Sequence, residues 1–94
     1  MFKLYFRPKA LKALAKTEKK TQLEINDALD NIKLGRFENH NIRKIEGTEF
    51  GYRLRIGRWR ILFALFSKEK RIEIVDIFIK KGREDYLKRR KLIR

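Results

Sequence analysis

Apolar and charged side chains alternate from the start of the chain: Phe2, Leu4 and Phe6 are separated by Lys3 and Tyr5 and followed by Arg7. A period of two is the mark of a strand with one buried face, and Pro8, which has no N–H to give to a ladder, ends it. Pro8 also suits the first turn of a helix. Leu11, Leu14 and Ala15 then share one side, while Lys9, Lys12, Lys16, Lys19 and Lys20 take the others, so a basic amphipathic helix is expected. Thr21 and Glu24 have the spacing of a capping box, and Ile25, Ala28, Leu29 and Ile32 recur at i, i+3, i+4 and i+7 before Gly35, a natural left-handed C-cap. This predicts a second helix. With so little chain between them, the two helices are expected to form an antiparallel pair laid on a sheet.

Residues 36 to 49 are rich in turn formers and carry a short Ile42 to Ile45 run, a connection with room for one small strand. Beyond it the period returns to two. Tyr52, Leu54 and Ile56 alternate with Arg53 and Arg55; Gly57 and Arg58 fit a two-residue turn; Trp59, Ile61, Phe63 and Leu65 alternate with Arg60, Leu62, Ala64 and Phe66. After a polar turn from Ser67 to Lys70, the stretch from Ile72 to Ile79 is almost wholly apolar, as in a strand covered on both faces. The segment from Arg83 to Arg94 is polar and compatible with a helix. The expected class is α+β: an N-terminal strand, a two-helix hairpin on one face of an antiparallel sheet, and a C-terminal basic helix or tail.

The 94 residues suit one domain, 1–94, and 43% hydrophobic content supplies one core. Charge adds a partner class. Lys and Arg number 26 against 12 Asp and Glu, a net +14, which calls for a polyanion such as nucleic acid or an acidic protein. The absence of cysteine removes disulfides, thiolate zinc sites and thiol nucleophiles. The longest apolar run, Ile61 to Phe66, is far short of the roughly 20 residues that span a bilayer, and the N-terminus lacks the apolar core of a signal peptide. A cytoplasmic protein with no membrane partner is expected.

Arg53 and Arg55 project from one sheet face, and the turn brings Arg58 and Arg60 close to them. Two readings fit this cluster: a phosphate ligand that offsets the mutual repulsion through bidentate contacts, or a solvated face whose arginines meet Glu73 and other acids. The C-terminal stretch adds Lys80, Lys81, Arg83, Lys88, Arg89, Arg90, Lys91 and Arg94 around Tyr86, a basic run with an aromatic that suits nucleic acid. Lys80 directly follows the buried strand and is therefore held on a rigid element. His40, the single histidine, reads as a surface residue without companion metal ligands, and Trp59 as core packing. No metal and no small-molecule cofactor is expected.

The runs Lys44-Ile45-Glu46-Gly47 and Gly51-Tyr52-Arg53-Leu54-Arg55-Ile56-Gly57-Arg58-Trp59-Arg60-Ile61-Leu62-Phe63 resemble the RelE/ParE superfamily of toxin–antitoxin toxins. The family's pattern is Lys-Leu-x-Gly, then Tyr-Arg-Leu-Arg, a turn, and an arginine opening an apolar strand. Phe78-Ile79-Lys80-Lys81 is similar to the end of the last strand in the HigB-like branch. The resemblance implies a RelE-like fold, an acidic cognate antitoxin, and the ribosome and mRNA as partners. It implies a metal-independent endoribonuclease that cuts mRNA in the ribosomal A site.

By position the resemblance gives Arg53 and Arg55 as the basic pair on the family's second sheet strand, Arg60 as the strand arginine that contacts the scissile phosphate, and Arg83 with Tyr86 as the C-terminal basic and aromatic pair. Lys80 completes the implied catalytic set, and Lys44, Arg58, Lys81, Lys88, Arg89 and Arg90 form the implied RNA-binding surround. Two departures stand out. Guanidiniums occupy the places where mRNA-cutting members often carry Lys, His or Glu as a base, and a guanidinium does not give up its proton in proteins. The base is therefore open between Tyr86 and Lys80, or alignment and charge stabilisation carry the rate. Arg83 precedes Tyr86 by three residues, against four in other members. The same resemblance admits a ParE-like, non-enzymatic inhibitor of DNA gyrase, and the composition admits an inactive RNA-binding domain.

Overall fold

The computed structural model describes residues 1–82 and 88–93. Strand β1 (Lys3–Phe6) leads into helix α1 (Pro8–Ala15) and helix α2 (Lys19–Lys33), and then β2 (Asn41–Lys44), β3 (Gly51–Ile56), β4 (Trp59–Phe66) and β5 (Arg71–Ile79) follow. Short 3-10 turns cover Phe37–Asn39 and Arg90–Leu92. The α+β reading holds, with one refinement: the sheet, in order β1-β5-β4-β3-β2, is mixed. Strands β2 to β5 form an antiparallel meander, whereas β1 returns to the far edge and pairs parallel with β5, Leu4 opposite Ile72.

Both helices start without a side-chain cap bond. The expected capping box does not form, because α2 already begins at Lys19 and Thr21 and Glu24 lie inside it. The inter-helix turn is closed instead by Thr17 Oγ1, which donates to the Leu14 carbonyl at 2.8 Å, and by Gln22 Nε2, which donates to Leu14 and Thr17 carbonyls at 3.2 and 3.1 Å. Gly35 ends α2 as expected, with φ +80° and its N–H on the Ile32 carbonyl. The buried face of α1 also differs from expectation: Ala10, Ala13 and Leu14 pack inward, and Leu11 is 55% exposed. With only two helical turns, Ala10 lets α1 sit close on β5.

Two cores follow from the two sheet faces. The helix face gathers Ala10, Ile25, Ala28, Leu29 and Ile32 against Leu54, Ile61, Phe63, Ile72, Ile74 and Ile77. Trp59 packs at its margin, as its alternation predicts. The second face holds a smaller core of Leu62, Ala64, Val75 and Phe78, closed by Ile45 and Ile93. His40 is partly buried, and its Nε2 has no hydrogen-bond partner.

One irregularity in β5 decides what reaches the second face. The β4–β5 register runs Phe63 opposite Ile74 and then Leu62 opposite Asp76, so Val75 is an extra residue, a β-bulge. Ile72 and Ile74 face the helices before the bulge, and so does Ile77 after it. The even-numbered side chains beyond the bulge are thereby transferred to the opposite face: Phe78 joins the second core, and Lys80 follows it.

Candidate functional site

Only half of the second face is apolar. Toward the Gly57–Arg58 turn it is lined by Asn41, Arg43, Arg53, Arg55, Arg60 and Lys80, around a groove of about 270 Å³. Sheet register explains the convergence. Arg43 stands opposite Arg53 on β2 and β3, Asn41 opposite Arg55, Arg55 opposite Arg60 on β3 and β4, and Arg60 opposite Phe78 on β5. Side chains directly opposite one another lie about 5 Å apart at Cβ, and like charges so placed destabilise a sheet. Among the described residues, five cations and no carboxylate line this groove, and Glu73 is held elsewhere, by Arg7 at 3.1 Å and Arg71 at 3.0 Å. Such an arrangement fits an anion that enters the groove.

Arg60 is held in place by the backbone. Its Nη1 donates to the Gly57 carbonyl at 2.9 Å and to its neighbour's, Trp59, at 3.0 Å, which fixes the plane of the guanidinium. Its Nε is buried and has no hydrogen-bond partner. Unsatisfied buried N–H groups are rare in folded proteins, and one on a pinned guanidinium beside a cationic groove suits a bidentate oxyanion contact.

The sequence-predicted residues divide into three groups. Arg53, Arg55, Arg60 and Lys80 are brought together in the groove, and Asn41 and Arg43 join them without having been anticipated. Their signal was present but short: Asn41 and Arg43 alternate with Ile42 in a four-residue edge strand. Arg58 lies in the exposed turn and Lys81 and Lys88 are exposed, outside the groove lining. Lys44 turns to the Tyr52 side, 5.3 Å from that ring, and its Nζ donates to the Thr48 and Glu49 carbonyls at 2.6 and 2.7 Å, bracing the loop before β3. Arg89 is ion-paired to Asp76 at 2.6 Å, and Arg90 opens the last 3-10 turn. Arg83 and Tyr86 lie outside the described residues.

The sequence matches no family model and no curated protein sequence. Its fold does have counterparts. The isolated E. coli RelE toxin superposes with a TM-score of 0.74 over 97% of both chains, at 17% identity. RelE of the Methanococcus jannaschii RelB–RelE antitoxin–toxin complex gives 0.73 over 87% of this chain and 96% of that one, at 20% identity.

The chain has the RelE toxin fold.

In the archaeal RelE–RelB complex from Pyrococcus horikoshii, identity rises to 29%, with a TM-score of 0.66 over 87% of this chain and 97% of its counterpart. The RelE-like fold spans these partners at nearly full length, so the basic groove belongs to a complete copy of that architecture. Among the described residues, no helix is long and apolar enough to cross a membrane.

Proposed function

We propose that this chain is the toxin of a type II toxin–antitoxin pair and an endoribonuclease that cuts mRNA in the ribosomal A site. The observation that carries the reading is the groove itself: among the described residues five cations converge on one sheet face, and Arg60 is held there with an unpartnered Nε. The RelE-like fold supports it, and neighbours solved with a RelB antitoxin support an antitoxin partner. The net charge of +14 favours an acidic segment in that partner.

The chemistry asks for three things. The ribose 2′-oxygen forms a bond to phosphorus and loses its proton, charge accumulates on the phosphorane oxygens, and the P–O5′ bond breaks with a proton delivered to the leaving oxygen. Arg60, held by two carbonyls, and Arg55 beside it meet the second need as donors to the non-bridging oxygens, with Arg53 and Arg43 holding the flanking backbone. Guanidiniums do not serve the first need, so Lys80 is the lining group suited to proton transfer, and Tyr86, outside the described residues, is the other candidate. The ribosome contributes by presenting and aligning the A-site codon.

The test is primer extension on a defined mRNA programmed into purified 70S ribosomes, with the same RNA free in solution. Cuts confined to the A-site codon, and lost with Arg60→Ala, are the expected result. A folded protein that cuts neither RNA overturns the reading. Inhibition of supercoiling by gyrase in that case would identify the ParE-like activity instead.

A further inference from the structure

Asp76 is the one buried charged residue among those described, 2% exposed in the middle of the second face. A carboxylate is withdrawn from water only where charges and donors replace hydration. Three groups do so, one from the neighbouring residue and two from distant parts of the chain. Asp76 Oδ1 accepts the N–H of Ile77 at 2.8 Å, at the bulge; Oδ2 accepts Arg89 Nε at 2.6 Å and faces Lys9 Nζ of α1 at 3.4 Å.

These contacts coincide with the two features that shape the groove. The bulge at Val75 sets the phase of β5 and delivers Lys80 to the cationic face. The return of the C-terminal segment is secured where the Arg89 guanidinium lies 3.8 Å over the Phe78 ring, whose backbone partner is the groove residue Arg60. Ile93 then closes the apolar half of the face, 3% exposed, while Arg7 Nη1 donates to the Leu92 carbonyl at 2.6 Å.

We propose that Asp76 is a positioning residue: it locks the β5 bulge and the returning segment 88–93 together, and through them holds Lys80 in the groove. The part concerning Lys80 rests on the ribonuclease reading; the anchoring of the segment does not. Asp76 touches neither substrate nor reacting atoms, and its negative charge sits where a cationic site would not otherwise keep one.

The experiment has two arms, on the full-length protein. Hydrogen exchange is followed by mass spectrometry in Asp76→Asn, which keeps an acceptor for Ile77, and in Arg89→Met, which leaves the carboxylate in place. Exchange in 88–93 is expected to rise about tenfold or more in both, with amides of β3 and β4 unchanged. Unaltered exchange in 88–93, or a uniform rise across the sheet in both variants, overturns the anchor.

The second arm is a double-mutant cycle in ribosome-dependent cleavage. Lys80→Ala should slow single-turnover cutting about tenfold in the wild type and less than about twofold in an Asp76→Ala background. Full additivity overturns the link to Lys80. If the wild type cuts nothing, the ribonuclease reading fails, and the exchange arm still decides the role of Asp76.

Discussion

Arg60 shows how much one side chain's surroundings decide. Two carbonyls fix its guanidinium, and its Nε is left buried without a partner. Charge alone is therefore not its asset. Arg60→Lys retains the cation but loses the planar fork, and it is expected to lower single-turnover cleavage by about 10²-fold, close to the effect of Arg60→Ala. A lysine variant that cuts within about threefold of wild type, with native circular dichroism, would reduce Arg60 to a diffuse positive charge. Arg53, Arg55 and Arg60 were legible in the sequence because a period of two in adjacent strands places them on one face. Arg43 was not, because a four-residue edge strand inside a polar connection offers too few alternations to reveal its face. The choice between Arg43 and Lys44 is settled by pairing with β3, where Arg43 meets Arg53 and Lys44 meets Tyr52.

Among the elements, the opening of β3 is the most tightly built. Gly51 donates its N–H to Thr48 Oγ1 at 3.1 Å, and that hydroxyl donates to the Ile45 carbonyl at 2.7 Å. A Cβ at Gly51 would come within 2.5 Å of Thr48 Oγ1 and 3.2 Å of Ile93 Cγ2, so loop and C-terminal segment would both have to shift. Gly51→Ala is expected to lose about 1–3 kcal/mol, read as a lower urea midpoint at unchanged slope. An unchanged midpoint would show that Thr48 and Ile93 both give way without loss. The same scale marks where sequence patterning runs out. The strands, the Gly35 C-cap and the β3–β4 turn follow from local period and turn chemistry. The closure of the inter-helix turn did not, because Gln22 reaches back across it and displaces the capping-box reading of Thr21 and Glu24. The bulge was hidden for a different reason: in a strand buried on both faces, a near-continuous apolar run gives no alternation in which an extra residue would show. Glu73 and Asp76 are the polar interruptions there, and the position of Asp76 beside the bulge becomes meaningful only once the register is known.

For the whole molecule, the decisive contrast is between total charge and charge that is aimed. Twenty-six Lys and Arg side chains are spread over the chain, yet among the described residues five line the groove, and others are engaged internally, as Arg7 and Arg71 are with Glu73 and Arg89 with Asp76. Counterion release reads this difference directly, because affinity falls with salt in proportion to the phosphates neutralised. If the groove is the nucleic-acid interface, binding of a short single-stranded RNA should show a log–log salt slope no steeper than about −3.5, which is about −0.7 for each of five phosphates. Replacing Arg53 and Arg55 with glutamine should then make the slope shallower by about 1.4. Replacing Lys12 and Lys16, on the helix layer across the sheet from the groove, should leave it within error. A slope much steeper than the groove allows, reduced equally by either pair of substitutions, would mean that RNA is held by the charge of the entire surface. The groove would then be one part of a diffuse cationic shell, and the alignment that phosphoryl transfer demands would have to come from the ribosome alone.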